Sequence, residues 1–345
     1  MTLRPAAFAI PGDIATLTGG YIYERRLLEG LRARGHLVDH LELAPGFPAP
    51  TPQEMADGIA QMAAVAPDRP LIVDGLVFGA AEGLEAVRAP MVAMIHHPLA
   101  REEGLSAAEA DHLYRTERAN IALARHILVP SPHTRDILVR DYAAPPGSIT
   151  IAPPGVDRPA RARAPSDPPL ILSIGLLHPR KGHDILLDAL AQITAEPWRA
   201  VIAGRAHDPA HAEALRAQCR DLGLEERVRF AGEVSVDTRD QLYAEATLFA
   251  LATRYEGYGM VFAEALTNGV PIVATRGGAV PDTVPTEAGL LAAVADASAF
   301  AAALKEVLTD AARRSALAEG AAAAARALPG WDDTAAIASK VLQSL

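Results

Sequence analysis

The chain is short of residues that several common architectures require. It has a single cysteine, Cys219, so it can form neither an intramolecular disulfide nor a cysteine-based zinc site, and a buried, inert thiol is the default reading. No apolar run reaches the roughly 18 residues of a membrane-spanning helix. The opening M-T-L-R-P-A-A-F-A-I-P is too short, and too soon interrupted by proline, for a signal peptide. The expectation is a cytoplasmic protein, soluble or in peripheral contact with the inner face of a membrane. Basic charge is also scarce: the formal net charge is -10 and no lysine precedes Lys181, which argues against nucleic acid as a partner. Arginine supplies most of the positive charge, so a local arginine patch stays compatible with the acidic balance. The fingerprint G-x-G-x-x-G is missing where the first strand meets the first helix, and with it the signature of a nicotinamide dinucleotide site.

What the chain does have is length and apolar content. With 345 residues, half of them hydrophobic, it exceeds one typical domain and suggests two of roughly 150 to 200 residues each. Residues 6–11 read as a buried strand. After Gly19-Gly20 comes an amphipathic helix with Leu27, Leu28 and Leu31 on its apolar face and Gly35 as its stop. Further strands are predicted at 38–43, 70–73, 91–95, 126–129 and 149–152, with helical stretches between them. Such alternation is the pattern of a parallel sheet covered on both faces. The stretch 153–169 carries six prolines and alternating charge and reads as stiff, exposed linker. At 170–175, L-I-L-S-I-G restarts the architecture, continued by strands at 200–203, 228–231, 248–252 and 271–274. The expected fold is α/β and doubly wound, with domains at 1–157 and 170–327 facing one another across a cleft. A linker at 158–169 joins them and a C-terminal helix occupies 328–345, where Asp332 or Asp333 is placed as its cap.

The most distinctive stretch runs from Arg254 to Pro285, R-Y-E-G-Y-G-M-V-F-A-E-A-L-T-N-G-V-P-I-V-A-T-R-G-G-A-V-P-D-T-V-P. It reads as a glycine-rich turn after a strand, a short helix, a second strand and a second double-glycine turn. Gly257 and Gly259 remove side chains where main-chain N–H groups would approach a ligand. The helix opening near Gly259 or Met260 turns its positive dipole end to the same place, which suits an anion. Glu256 in the loop and Glu264 about one turn into the helix flank that place. Beside phosphate-binding amides a carboxylate would repel phosphate, so both acids are better placed to accept hydrogen bonds from sugar hydroxyls. As a bare Glu-x7-Glu spacing the pair equally describes ordinary helix acids; the glycines between them and the second Gly-Gly argue for the site. Lys181, at a strand-loop-helix entry, suits a point-charge contact to phosphate, with a solvated basic turn of Arg180 and Lys181 as the alternative. His96 and His97 end a strand where open α/β sheets place ligands. Zinc would need further ligands, and none with suitable spacing lies near in sequence, which leaves a hydrogen-bonded structural histidine as the alternative. Ser131 reads as a helix cap.

The Arg254–Pro285 segment resembles the donor-binding motif of the retaining, nucleotide-sugar-dependent glycosyltransferases of family 4, which have the GT-B fold of two Rossmann-like domains. The resemblance implies that Glu256 contacts the donor sugar, that the amides of Gly257, Tyr258, Gly259 and Met260 bind sugar and diphosphate, and that Glu264 holds the ribose. It also implies that the loop at Gly19 and Gly20 closes over the diphosphate, and that His96, with His97 as the next match, borders the sugar. Val234 would meet the base through its main chain, and Lys181 would neutralise the diphosphate. One position departs from the pattern: Leu176 follows Gly175 where the family has arginine, and Arg180 or Arg205 is the substitute, with Arg180 favoured. Asp282 stands where the family often has glutamate. The final helix would cross back onto the first domain, anchored by Trp331. No two aspartates are separated by one residue, so the Asp-x-Asp metal signature of the other main glycosyltransferase architecture is missing, and neither metal nor other cofactor is expected.

The implied reaction moves a hexosyl group from a nucleotide sugar, a UDP-sugar being favoured, to a hydroxyl acceptor with retention of configuration. P-G-D-I-A-T-L-T-G-G-Y and I-H-H-P-L-A-R-E-E-G-L resemble segments of bacterial members, some of which glycosylate diacylglycerol, which suggests a lipid acceptor. Arg25, Arg26, Arg32 and Arg34 would then meet anionic lipid, or else form a solvated face. Polysaccharide and small-molecule acceptors stay open. From other classes, a nicotinamide-dependent oxidoreductase and a non-catalytic sugar-nucleotide sensor are the rivals.

Overall fold

The computed structural model describes residues 3–345, which form two compact units. One runs as far as Gly155 and is completed by Pro329–Leu345; the other is Val156–Leu328. The first contains strands β1 (Ala6–Pro11), β2 (Val38–Leu43), β3 (Leu71–Asp74), β4 (Met91–Met94), β5 (His126–Val129) and β6 (Ile149–Ile151). They pair in the order β2-β1-β3-β4-β5-β6, all parallel. Runs such as A-A-F-A-I and L-I-V have no polar alternation because helices cover both faces of the sheet, and every residue of β1, β3 and β4 is buried.

The helix Gly19–Ala33 is capped by Thr18, so Gly19 and Gly20 are its first turn rather than the loop expected from the sequence. It packs against the closing helix, Trp331–Ser344, through buried Leu27, Leu28 and Leu31 on one side and Ala335, Ala338 and Leu342 on the other. A side chain at Gly30 would stand 2.7 Å from Ala335 Cβ, so the two helices meet closer than any larger residue allows. Trp331 lies edge-on to Tyr23 at 5.9 Å with the Arg26 guanidinium 5.4 Å above its ring. The closing helix is capped by Gly330, not by an aspartate; Asp333 accepts from the Gly330 N–H at 2.9 Å from one turn inside. Arg25 and Arg32 donate to the Ile14 and Val38 carbonyls and Arg34 faces Asp332 at 3.8 Å. The three arginines of the first helix and Arg34 at its C-cap therefore have partners within their own unit.

The second unit contains β7 (Leu170–Ile174), β8 (Arg199–Ala203), β9 (Val228–Gly232), β10 (Ala246–Leu251), β11 (Ile272–Thr275) and β12 (Gly289–Ala292), in the order β12-β11-β10-β7-β8-β9, again parallel. Strand β12 is the one the sequence pattern does not reveal: G-L-L-A opens on glycine, a residue depleted in strands. The proline-rich stretch before β7 is exposed but fastened to this unit by the Ala164 and Ser166 N–H groups, which donate to the Ala244 and Glu245 carbonyls. Strand order reverses between β1 and β3 in the first unit and between β7 and β10 in the second. At such a point the loops leaving the carboxyl ends of adjacent strands diverge and open a crevice, and this is where open α/β sheets take ligands. Among the described residues no helix is long and apolar enough to cross a membrane.

Candidate active site

In the second unit the loops after β7 and β10 leave neighbouring strands and are sewn together. The Arg254 N–H donates to the Arg180 carbonyl at 2.8 Å. The Arg254 guanidinium grips both carboxylate oxygens of Asp184 at 2.9 and 2.6 Å. This frame holds Glu256, whose side chain is only 7% exposed, against a cationic pair. Lys181 Nζ lies 2.6 Å from its Oε1 and Arg180 Nη1 3.6 Å from its Oε2, with the Thr253 hydroxyl donating at 3.1 Å. Burial alone would push the Glu256 carboxyl up. Lys181, Arg180 and Thr253 more than reverse that and hold it below the usual carboxylate range, so it is ionised at neutral pH.

The second double glycine packs directly against the acidic loop. A Cβ at Gly278, whose φ is +63°, would stand 2.3 Å from the Glu256 carbonyl oxygen, and one at Gly277 would stand 2.7 Å from that of Arg254. The two backbones therefore run in contact, and the Ala279 N–H donates to the Glu256 carbonyl at 2.8 Å. These glycines fix the acidic loop by backbone contact. Gly259, at φ +86°, turns the chain into the helix Met260–Thr267, whose N-terminus no side chain caps. Tyr258 sits in the same turn, its phenol pushed up to about 12 by burial and its carbonyl accepting from Thr283 at 2.7 Å. Glu264, 27% exposed, is oriented by the Tyr243 hydroxyl at 2.9 Å and faces Arg239 at 3.7 Å. Burial raises its carboxyl despite both partners.

The structure thus brings Glu256, Lys181 and Arg180 together and places Gly257, Tyr258, Gly259, Met260 and Glu264 along one turn and its helix. It does not gather all the expected residues. Arg205 lies on the loop after β8 with an exposed side chain and meets the β7 loop through its carbonyl, which accepts from Leu177. Of the two arginines weighed against Leu176, Arg180 is the one beside Glu256. Val234 sits beyond β9 at the sheet edge, just before the helix Val236–Glu245. Thr253, Tyr243 and Arg239 were not singled out in the sequence. A Thr that closes an apolar strand is a weak signal, and the other two are too far along the chain to associate with Glu264.

In the first unit, His97 Nε2 lies 2.8 Å from Glu102 Oε2. His96 turns the other way, beside Gly20 and edge-on to Tyr23 at 5.2 Å, with its Nε2 3.5 Å from Glu24 Oε1. Asp74, the last residue of β3, accepts from the Leu76 N–H at 2.9 Å and turns its carboxyl toward Glu24. Burial pushes Glu24 up to about 7 and Asp74 well above the carboxylate range, and it lowers His96. The sequence offered no further ligands near the histidines; the fold supplies two acids from distant positions. An aspartate ending an apolar strand at its carboxyl end was the available signal.

Two family models match this chain. The description "Glycosyltransferase Family 4" covers residues 70–158 and "Glycosyl transferases group 1" covers residues 157–324. A D-inositol 3-phosphate glycosyltransferase of Acidothermus cellulolyticus is 31% identical over 97% of this chain and 87% of its own length. The chain belongs to the family 4 glycosyltransferases. Another D-inositol 3-phosphate glycosyltransferase, from Xylanimonas cellulosilytica, is 32% identical over 71% of this chain, and the match spans 64% of that relative's length, as it does for the one from Kineococcus radiotolerans. Among solved structures, sucrose-phosphate synthase of Thermosynechococcus elongatus superposes with a TM-score of 0.85 at 22% identity over 99% of this chain and 98% of that one. Anabaena HepE in complex with UDP and glucose gives 0.80 at 20% identity over 99% and 100%. Two parallel six-stranded sheets with these neighbours make the fold GT-B.

Proposed function

We propose that the chain transfers a hexosyl group from a nucleotide sugar to a hydroxyl acceptor with retention of configuration, using no metal at the diphosphate. The observation that carries this reading is the ionised, buried Glu256 braced by Lys181 and Arg180, beside the uncapped start of the helix Met260–Thr267. In the reaction the bond from the anomeric carbon to the β-phosphate oxygen breaks and a bond to the acceptor oxygen forms on the same face. The acceptor proton passes to the departing phosphate. Lys181 and Arg180 stabilise the negative charge that develops on the leaving group, the main-chain amides of 257–260 add fixed dipoles, and Glu256 holds the sugar and offsets positive character at the anomeric carbon. Glu264 accepts from the ribose hydroxyls.

A UDP-sugar is the favoured donor, supported by the neighbour that holds UDP and glucose. A relative named as GDP-mannose-dependent keeps GDP-mannose as the competing donor. For the acceptor, inositol phosphate is supported by the names of the D-inositol 3-phosphate glycosyltransferases, and a lipid by the name of the phosphatidylinositol monomannoside mannosyltransferase. Incubation with UDP-glucose, UDP-GlcNAc and GDP-mannose, with and without inositol 3-phosphate or diacylglycerol vesicles, identifies base, sugar and acceptor together. Proton NMR of the product reads the anomeric configuration. Release of UDP with an α-configured product is expected, sharply reduced in Glu256→Ala and Lys181→Ala. An inverted product, or near-normal turnover in both variants, refutes the assignment.

A further inference from the structure

Glu24, Asp74 and His96 come from the first helix, the end of β3 and the loop after β4, and converge where the strand order of the first unit reverses. One ligand-capable atom from each lies within 4.8 Å of the others. Glu24 is 1% exposed and Asp74 3%, yet no lysine or arginine is paired with either among the described residues. Two buried acids in contact are costly without a counter-charge, and such groups persist only when paired, protonated or bound to a metal. The contacts within the cluster leave two atoms unanswered: Glu24 Oε1 and His96 Nε2 are both buried without a hydrogen-bond partner. They lie 3.5 Å apart and do not hydrogen-bond each other. His96 also has its ring held in place, edge-on to Tyr23 and against Gly20.

We propose that Glu24, Asp74 and His96 form a binding site for one divalent first-row transition cation, Zn2+ or Mn2+. Two carboxylate oxygens and one imidazole nitrogen are a donor set that suits these ions, and the nitrogen discriminates against Mg2+ and Ca2+, which take oxygen. The cation answers both orphaned atoms at once and supplies the positive charge that the two acids lack. The site shares no residue with Lys181, Arg180 or Glu256.

The test is calorimetric titration of the tag-free, EDTA-treated full chain with ZnCl2, MnCl2 and MgCl2 in separate runs, at pH 7.5, with Mn2+ electron paramagnetic resonance as an independent count of bound ion. Binding of one equivalent of Zn2+ is expected, tighter than Mn2+, with Mg2+ at least tenfold weaker than either. Affinity should fall at least tenfold in both Glu24→Gln and Asp74→Asn, while circular dichroism shows each variant folded. His96→Gln serves as the third arm if either acid variant fails to fold. Absence of saturable binding, or binding unchanged by the substitutions and therefore located at other histidines, overturns the proposal and leaves the acids as a pair sharing one proton.

Discussion

Replacing Lys181 by methionine removes the ammonium 2.6 Å from Glu256 while keeping the aliphatic bulk, and leaves a carboxylate that is only 7% exposed. Removal of one partner from a buried ion pair costs about 3–5 kcal/mol, because the other charge stays desolvated. Here Arg180 at 3.6 Å and the Thr253 hydroxyl at 3.1 Å remain, which reduces the expected loss to about 2–3 kcal/mol. Urea denaturation of wild type, Lys181→Met, Glu256→Gln and the double variant forms a cycle whose coupling energy should exceed about 1.5 kcal/mol. The pH dependence has a definite sign. Glu256 is held below its unfolded value, so its contribution is present above the unfolded carboxylate pKa and is lost as pH falls through the native one. The penalty of Lys181→Met should therefore be largest at pH 7 and shrink in acid. Additive single effects, or a penalty that grows on acidification, refute the ion pair as the element that fixes Glu256.

Gly278→Ala should destabilise by about 2 kcal/mol or more, since it forces a Cβ against the Glu256 carbonyl at a positive φ; it should also lower transfer, measured as UDP release, by displacing Glu256. Glu117 is buried and its carboxyl is pushed up to about 8, so the native state favours its neutral form. Its stabilising contribution is complete below the unfolded carboxylate pKa and is lost as pH rises through about 8, a decline of roughly 4–5 kcal/mol at most. Glu117→Gln should flatten the loss of melting temperature between pH 5 and 9.

Much of the architecture was legible because buried parallel strands advertise themselves as uninterrupted apolar runs. Ala6–Pro11, Val38–Leu43 and His126–Val129 fall on the expected residues, and most other strands shift by one or two at an end. Gly289–Ala292 escaped because it opens on glycine, which is depleted in strands. The acidic loop was legible from Gly257 and Gly259 near Glu256, yet its bracing was not. That Gly277 and Gly278 press on the loop's backbone, and that Arg254 clamps Asp184, follow from contacts across the sheet which spacing along the chain does not encode. The same holds for Glu24 and Asp74. Each reads alone as an ordinary helix or strand-end acid, and only the sheet order places them beside His96.

Calorimetric binding of UDP, GDP and inorganic pyrophosphate to the wild type and to Glu264→Ala tests the donor site most directly. The expected result is saturable binding of one of the two nucleotides, weakened at least tenfold in Glu264→Ala, with pyrophosphate affinity unchanged because the amides of 257–260 and Lys181 remain. Failure of both nucleotides to bind, or nucleotide affinity indifferent to Glu264, would contradict a nucleoside diphosphate seated at the start of the helix Met260–Thr267.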